Sequence, residues 1–244
     1  MTVSGSEPES LVRVTIEAFR NLHNVRRVAR RVAEMGAAFS VLTLVAWHRL
    51  GPSQIDILML HGYRANANSR TFRVAQVITA MGSPGVVIVL GFLVAGAVWI
   101  RRRSLSWVLA CLGAPAIAGI IEFSLKIIVA RRRPISAVLT GEAGNGFPSG
   151  HAAGFSALAL TIAFYQCTYY RKYHRLVIAT AVISSLIIGV TRVLVGAHYP
   201  IDVVAGTLLG FGVSNILALL ARNAEQLTTS FNSYRRARTA TTSP

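Results

Sequence analysis

Acidic residues are scarce in this chain of 244 residues: nine Asp and Glu stand against 25 Lys and Arg, for a formal net charge of +16. Charged residues of both signs make up 14% of the chain, where ordinary soluble domains carry about 25%. The charge-covered surface of a soluble domain is therefore excluded. Cysteine is nearly absent. Cys111 and Cys167 both lie in apolar runs without metal-type spacing, which argues against a disulfide framework or a zinc site and leaves them as small buried apolar residues. The first 31 residues lack a short apolar core followed by a small-residue cleavage site, so no removable signal peptide is expected and insertion falls to the first span. No internal repeat is found. The basic residues are not interleaved with aromatics, which sets nucleic acid aside as a partner.

What the chain has is apolar length. Hydrophobic residues make up 53% of it, mean hydropathy is +0.52, and apolar stretches recur at 32–50, 84–100, 105–130, 151–170, 176–195 and 200–221. The stretch at 84–100 carries no charge and, as a helix, covers roughly 26 Å, close to the hydrocarbon thickness of a bilayer. The pattern predicts an all-α, polytopic membrane bundle of six transmembrane helices over 32–221. A basic cytoplasmic segment (1–31) precedes it, and a basic tail (222–244), reading as disordered from Thr228, follows.

Placing the amino terminus inside makes 1–31, 101–104, 171–175 and 222–244 the inner segments, and these hold sixteen of the 25 basic residues. Four more, Lys126, Arg131, Arg132 and Arg133, cluster around one motif. Positive-inside bias thus absorbs most of the charge. Within 9–31, apolar residues at Leu11, Val14, Ala18, Leu22, Val25 and Ala29 alternate with arginines, the spacing of a helix lying on anionic lipid headgroups. The outer segment 51–83 is too polar to span. A short helix is expected over 72–80, ending at Gly82-Ser83-Pro84-Gly85, and the segment is the candidate for headgroup selection.

Three short motifs do not fit a purely apolar bundle, and this topology puts all three on the outer face. The first is Lys126 followed, after six residues, by Arg133-Pro134. Glu122, four residues before Lys126, shares its helical face and reads as its ion-pair partner in preference to a catalytic acid. Lys126 alone would pass for a side chain snorkelling to the interface; its company makes it a phosphate ligand. Pro134 ends the helix and holds Arg133 extended, directing a guanidinium whose planar fork suits phosphate oxygens. Arg131 and Arg132 are assigned to headgroup contacts.

The second motif, Pro148-Ser149-Gly150-His151, follows a glycine-rich lead-in at 141–146. Ser149 is a candidate N-cap, and the helix start offers amide groups and a positive dipole end to an anion that Gly150 lets approach. The third is Arg192, five residues, His198, three residues, Asp202, with Pro200 placed to open the sixth helix. Asp202 has a helix-dipole explanation. It can equally orient the His198 imidazole and leave one nitrogen free to attack.

Together these motifs resemble the type 2 phosphatidic acid phosphatase family, the membrane lipid phosphatases related to vanadium haloperoxidases. Its pattern, Lys-x6-Arg-Pro, Pro-Ser-Gly-His and Ser-Arg-x5-His-x3-Asp, is matched except for Thr191 in place of serine. The similarity covers spans three to six. The resemblance implies that Lys126, Arg133, Arg192, Ser149 and Gly150 cradle a phosphoryl group and that His198 attacks phosphorus to form a phosphohistidine. His151 would protonate the leaving oxygen and Asp202 would orient His198, with no metal or other cofactor required. The implied protein is a multi-pass enzyme of a bacterial-type inner membrane, removing the terminal phosphate of a lipid phosphate or diphosphate at the outer leaflet. Undecaprenyl diphosphate, phosphatidylglycerophosphate and phosphatidate are compatible substrates. A lipid phosphotransferase using the same site, or a non-catalytic lipid-phosphate binding or transport protein, is the alternative.

Overall fold

A computed structural model describes residues 7–48 and 52–241, with side chains for all of these except 7–24, 171 and 232–241. Among the described residues the secondary structure is helical, apart from one isolated bridge between Arg132 and Asn145. The order is α1 (Glu7–His48), α2 (Gln54–Tyr63), α3 (Arg70–Ala80), α4 (Pro84–Arg102), α5 (Leu105–Val129), α6 (Gly150–Tyr169), α7 (His174–Leu194) and α8 (Pro200–Thr241). A 3-10 turn at Ile135–Thr140 lies between α5 and α6.

Among the described residues, four helices are long and apolar enough to cross a membrane: Pro84–Arg102, Leu105–Val129, His174–Leu194 and the Pro200–Phe231 part of α8. The two other expected spans are helical but are not among these four, so four of the expected six have the length and apolar character of a span. The stretch at 32–50 is the second half of the long α1, where it has only about 17 residues before the described helix ends. The stretch at 151–170 is α6, which packs on α5, α7 and α8 and against α4. Protein surrounds it, so it buries Ser156 and Thr161 along with its alanines and leucines.

The outer faces of the spanning helices are apolar. Ile88, Phe92 and Leu93 on α4, Ile120 and Phe123 on α5, and Leu186 and Val190 on α7 are all more than half exposed. A water-facing surface does not carry such bands, whereas hydrocarbon solvates them. Inside, α6 and α8 cross very closely. A Cβ at Gly206 would collide with the Ser149 carbonyl and stand 3.2 Å from the Ala152 Cβ; one at Gly210 would collide with the Ala153 carbonyl and stand 2.9 Å from the Ser156 Cβ. Two glycines four apart thus let the backbones pack where lipid supplies no hydrophobic drive.

The short helix expected over 72–80 is α3, which starts two residues earlier, at Arg70. Pro200 opens α8 as expected, with Asp202 in its first turn. The tail differs from expectation: α8 continues to Thr241 instead of becoming disordered at Thr228. No glycine or proline interrupts 213–243, and Ala, Arg, Leu, Gln and Glu there favour helix; residues 242–244 lie outside the described residues. The expected surface-lying helix at 9–31 is continuous with the rest of α1, and its stripe through Leu11, Val14, Ala18 and Leu22 lies outside the described side chains.

Candidate active site

The carboxyl ends of α5 and α7 and the amino ends of α6 and α8 meet at one end of the bundle, and this brings the three motifs together. His198, in the turn between α7 and α8, is 1% exposed. Its Nε2 lies 2.9 Å from Arg133 Nη1. Burial, followed by the charges of Arg133, Arg192 and Lys126, pushes its pKa well below the ordinary 6.5. The lowered pKa favours the neutral imidazole, and because a guanidinium can only donate, Nε2 accepts from Arg133.

The chain path after α5 explains how arginines reach this spot. Ala130 adopts a left-handed conformation (φ 50°) and ends the helix. The following residues run extended, pinned by the Arg132–Asn145 bridge and by Gly146 N–H donating to the Arg131 carbonyl at 2.7 Å. Side chains of an extended segment alternate, so Arg131 and Arg133 turn inward while Arg132 is exposed.

Arg131 is therefore not the headgroup contact expected from the sequence. It is 1% exposed and donates to Asp202 Oδ1 at 2.5 Å and to Asp56 Oδ2 at 2.6 Å. Asp56, in the first turn of α2, also forms a capping box with Ser53. This buried pair of pairs ties α2 to the start of α8.

Asp202 is fully committed. Oδ1 takes Arg131, Oδ2 takes the Tyr199 amide at 3.0 Å, and His198 Nδ1 stands 3.6 Å from Oδ2 without a hydrogen-bond partner. The carboxylate lies beside the imidazole, as the spacing anticipated, but beyond hydrogen-bond length. Lys126 and Glu122 form the anticipated ion pair, and Asn145 Nδ2 donates to the Lys126 carbonyl at 2.7 Å.

Ser149 occupies the N-cap position of α6, yet its hydroxyl makes no capping bond and is buried without a partner; its amide donates instead to the Asp202 carbonyl at 2.9 Å. A Cβ on Gly150 would fall 2.8 Å from Glu122 Oε1, so the close approach this glycine permits is used by Glu122. His151, half-buried at the start of α6, is near enough for its charge to act on both Glu142 and His198. Thr191 returns its hydroxyl to the Ile188 carbonyl at 2.7 Å.

Three participants were not anticipated: Asp56, Thr79, which receives a weak 3.4 Å bond from Arg192 Nη1, and Glu142. The carboxylate of Glu142 sits between two motif arginines, accepting from Arg133 Nη1 at 2.5 Å through Oε2 and from Arg192 Nη2 through Oε1. Burial works to raise its pKa, but Arg192 and Arg133 outweigh that and hold it below the ordinary value. The available signals were the Ser53-x-x-Asp56 capping pattern and the rarity of acidic residues. A cavity of about 450 Å³ lined by Pro84, Val87, Pro115, Gly119, Gly154 and Phe123 has Glu122 and Gly150 in its wall, beside the cluster.

This geometry accompanies clear sequence likeness. Phosphatidylglycerophosphatase B of Bacillus subtilis is 32% identical over 89 residues, 35% of this chain and 44% of that protein. Lipid A 1-phosphatase of Rhizobium etli is 31% identical over 130 residues, 47% and 51% of the two chains. Decaprenylphosphoryl-5-phosphoribose phosphatase of Mycobacterium tuberculosis is 30% identical over 126 residues, 50% and 65%. The chain thus spans about half the length of the curated relatives it matches. The fold is similar to the crystal structure of a transmembrane PAP2 type phosphatidylglycerolphosphate phosphatase from Bacillus subtilis, with a TM-score of 0.57 and 19% identity over 85% of this chain and 96% of that one. The family model of the PAP2 superfamily matches residues 105–226, half of the chain and all three motifs, and the protein is a membrane protein belonging to that superfamily.

Proposed function

We propose that the protein is an integral-membrane lipid phosphatase that removes the terminal phosphate of a lipid phosphate or diphosphate through a phosphohistidine on His198. The observation that carries this is the convergence of Arg133, Arg192 and Lys126 on a buried, neutral imidazole. Phosphoryl transfer consists mainly of positioning and of offsetting charge on the phosphoryl oxygens, and three fixed cations beside one nucleophile supply both.

In this reading His198 Nε2 attacks phosphorus, the bond from phosphorus to the lipid oxygen breaks, and His151 gives its proton to that oxygen. Water then attacks phosphorus, the phosphorus–nitrogen bond breaks, His151 takes the water proton and inorganic phosphate leaves. Arg133, Arg192 and Lys126 hold the phosphoryl oxygens, with the Ser149-Gly150 helix start beside them. Asp202 limits how the imidazole can turn, and is itself held by Arg131. The apolar cavity next to Glu122 and Gly150 supports a lipid substrate, since it offers a place for a chain alongside the reacting group. The proposed topology has both termini cytoplasmic and the site on the outer face, following the bias of basic residues.

The test is phosphate release by detergent-purified protein from phosphatidate, phosphatidylglycerophosphate and undecaprenyl diphosphate. Wild type is expected to release phosphate while His198→Ala and His151→Ala do not. Undiminished release by both variants would refute the assignment.

A further inference from the structure

Glu142 lies outside the three motifs, yet its carboxylate is in the middle of them. Its two oxygens bridge the guanidinium groups of Arg133 and Arg192, and Oε2 stands 3.9 Å from His198 Nε2. Two guanidinium donors converging on a pair of oxygens is the arrangement that also receives two phosphoryl oxygens. A resident carboxylate therefore takes the place of a substrate anion, at the nitrogen that reacts.

The backbone presents Glu142 without burying it deeply. Gly141 (φ 69°) closes the 3-10 turn just before it, and Gly144 (φ 83°) turns the chain just after it. On the far side the loop is anchored where Asn145 and Gly146 bond to the Lys126 and Arg131 carbonyls. Ala143 and Gly144, between these anchors, are exposed, and the Glu142 side chain is 23% exposed. The carboxylate can leave toward solvent by side-chain rotation, with the anchors in place.

Charge then separates two kinds of headgroup. The cradle holds Lys126, Arg133 and Arg192, and Lys126 is already paired with Glu122. With Glu142 withdrawn, the remaining charge is +2. A terminal phosphate carries about −1.5 to −2 near neutral pH and presents three free oxygens. A phosphodiester carries −1 and presents two, no more than the carboxylate it would have to displace. From this we infer that Glu142 is a specificity-determining residue: it keeps singly charged phosphodiester headgroups out of the site and yields it to terminal phosphates.

The inference rests on the proposed function only in taking the same cations as the phosphate cradle, and the experiment separates the two. Wild type, Glu142→Gln and Glu142→Ala are purified in detergent, and binding of inorganic phosphate is read from the shift in thermal unfolding, a measurement that needs no turnover. In parallel, phosphate release from short-chain phosphatidate is measured in mixed micelles with increasing phosphatidylglycerol, a phosphodiester.

Both variants are expected to bind phosphate about tenfold more tightly, the equivalent of one charge-assisted bond that no longer has to be broken. They should also be inhibited by phosphatidylglycerol at about tenfold lower fractions than wild type. Folded variants with wild-type phosphate affinity and wild-type inhibition would overturn the inference and leave the phosphatase reading intact. Weaker phosphate binding in both would also overturn it, by showing that Glu142 arranges the arginines for the anion. Tighter phosphate binding in a protein that hydrolyses no lipid phosphate would uphold the resident carboxylate and refute the phosphatase.

Discussion

Replacing Arg131 by methionine separates the interior position found for this arginine from the headgroup contact its neighbours in sequence suggest. Both carboxylate partners are as buried as Arg131 itself: the Asp56 and Asp202 side chains are 3% and 0% exposed, at 2.6 and 2.5 Å. Removing the cation leaves two carboxylates inside the protein with no opposing charge. Breaking a buried ion pair in this way costs about 3–5 kcal/mol. Asp56→Asn is milder, because Arg131 and Asp202 remain paired, and should cost about 1–3 kcal/mol. Arg132→Met, one residue away on the outward side of the extended segment, should change stability by less than about 0.5 kcal/mol. The assay is the unfolding free energy of each variant in mixed micelles under denaturant, and the ordering Arg131→Met, Asp56→Asn, Arg132→Met is the expected result. An Arg131→Met protein as stable as Arg132→Met would refute the buried bridge.

Other outcomes follow from the same structure. His198 has a folded pKa below its ordinary 6.5, so the unfolded chain binds its proton first as pH falls. Stability present above pH 6.5 is then lost below it, and wild type should fall relative to His198→Asn across that range; parallel stability-pH curves would count against a buried neutral imidazole. Gly210→Ala should lower stability by about 1–3 kcal/mol through overpacking against α6, measured by thermal unfolding in detergent; an unchanged midpoint would show that the α6–α8 crossing is looser than described. At the far end of the bundle, Trp107 donates to Glu225 at 3.1 Å and Tyr169 bonds the same carboxylate. Glu225→Ala is expected to cost about 1–3 kcal/mol while leaving the KM for a lipid phosphate unchanged. For topology, a cysteine at Ala67 should react with an impermeant maleimide in intact cells, and one at Arg103 only after permeabilisation; the reverse pattern would invert the proposed orientation.

The motif residues that meet at one end of the bundle were legible in the sequence because such charged groups are rare in an apolar chain. Lys126, Arg133, His151, Arg192, His198 and Asp202 stood out against helices that otherwise avoid charge, and Pro200 marked where α8 begins, whereas Pro134 does not end α5, which stops at Val129 with Ala130 left-handed. Local rules were enough for these. Arg131 was misread because three consecutive arginines look alike until the backbone is known to be extended there, which sends alternate side chains to opposite sides.

Scarcity of acidic residues was the underused signal. Four of the nine, Asp56, Glu122, Glu142 and Asp202, gather around the motif cations. Which cation each one meets depends on contacts between segments as far apart in sequence as α2 and α8, and no local pattern encodes that.

The sequence by itself determined four apolar membrane-length helices, from apolar length, and the charged motifs that converge at one end of the bundle, from their rarity and spacing. Only the tertiary structure decided that α6 is enclosed by its neighbours, that Arg131 is a buried bridge, and that Glu142 bridges Arg133 and Arg192. Each of those depends on how distant segments pack: close glycine contacts pull α8 onto α6, an extended turn drives one arginine inward, and a loop closed by two left-handed glycines carries a carboxylate across the mouth of the site.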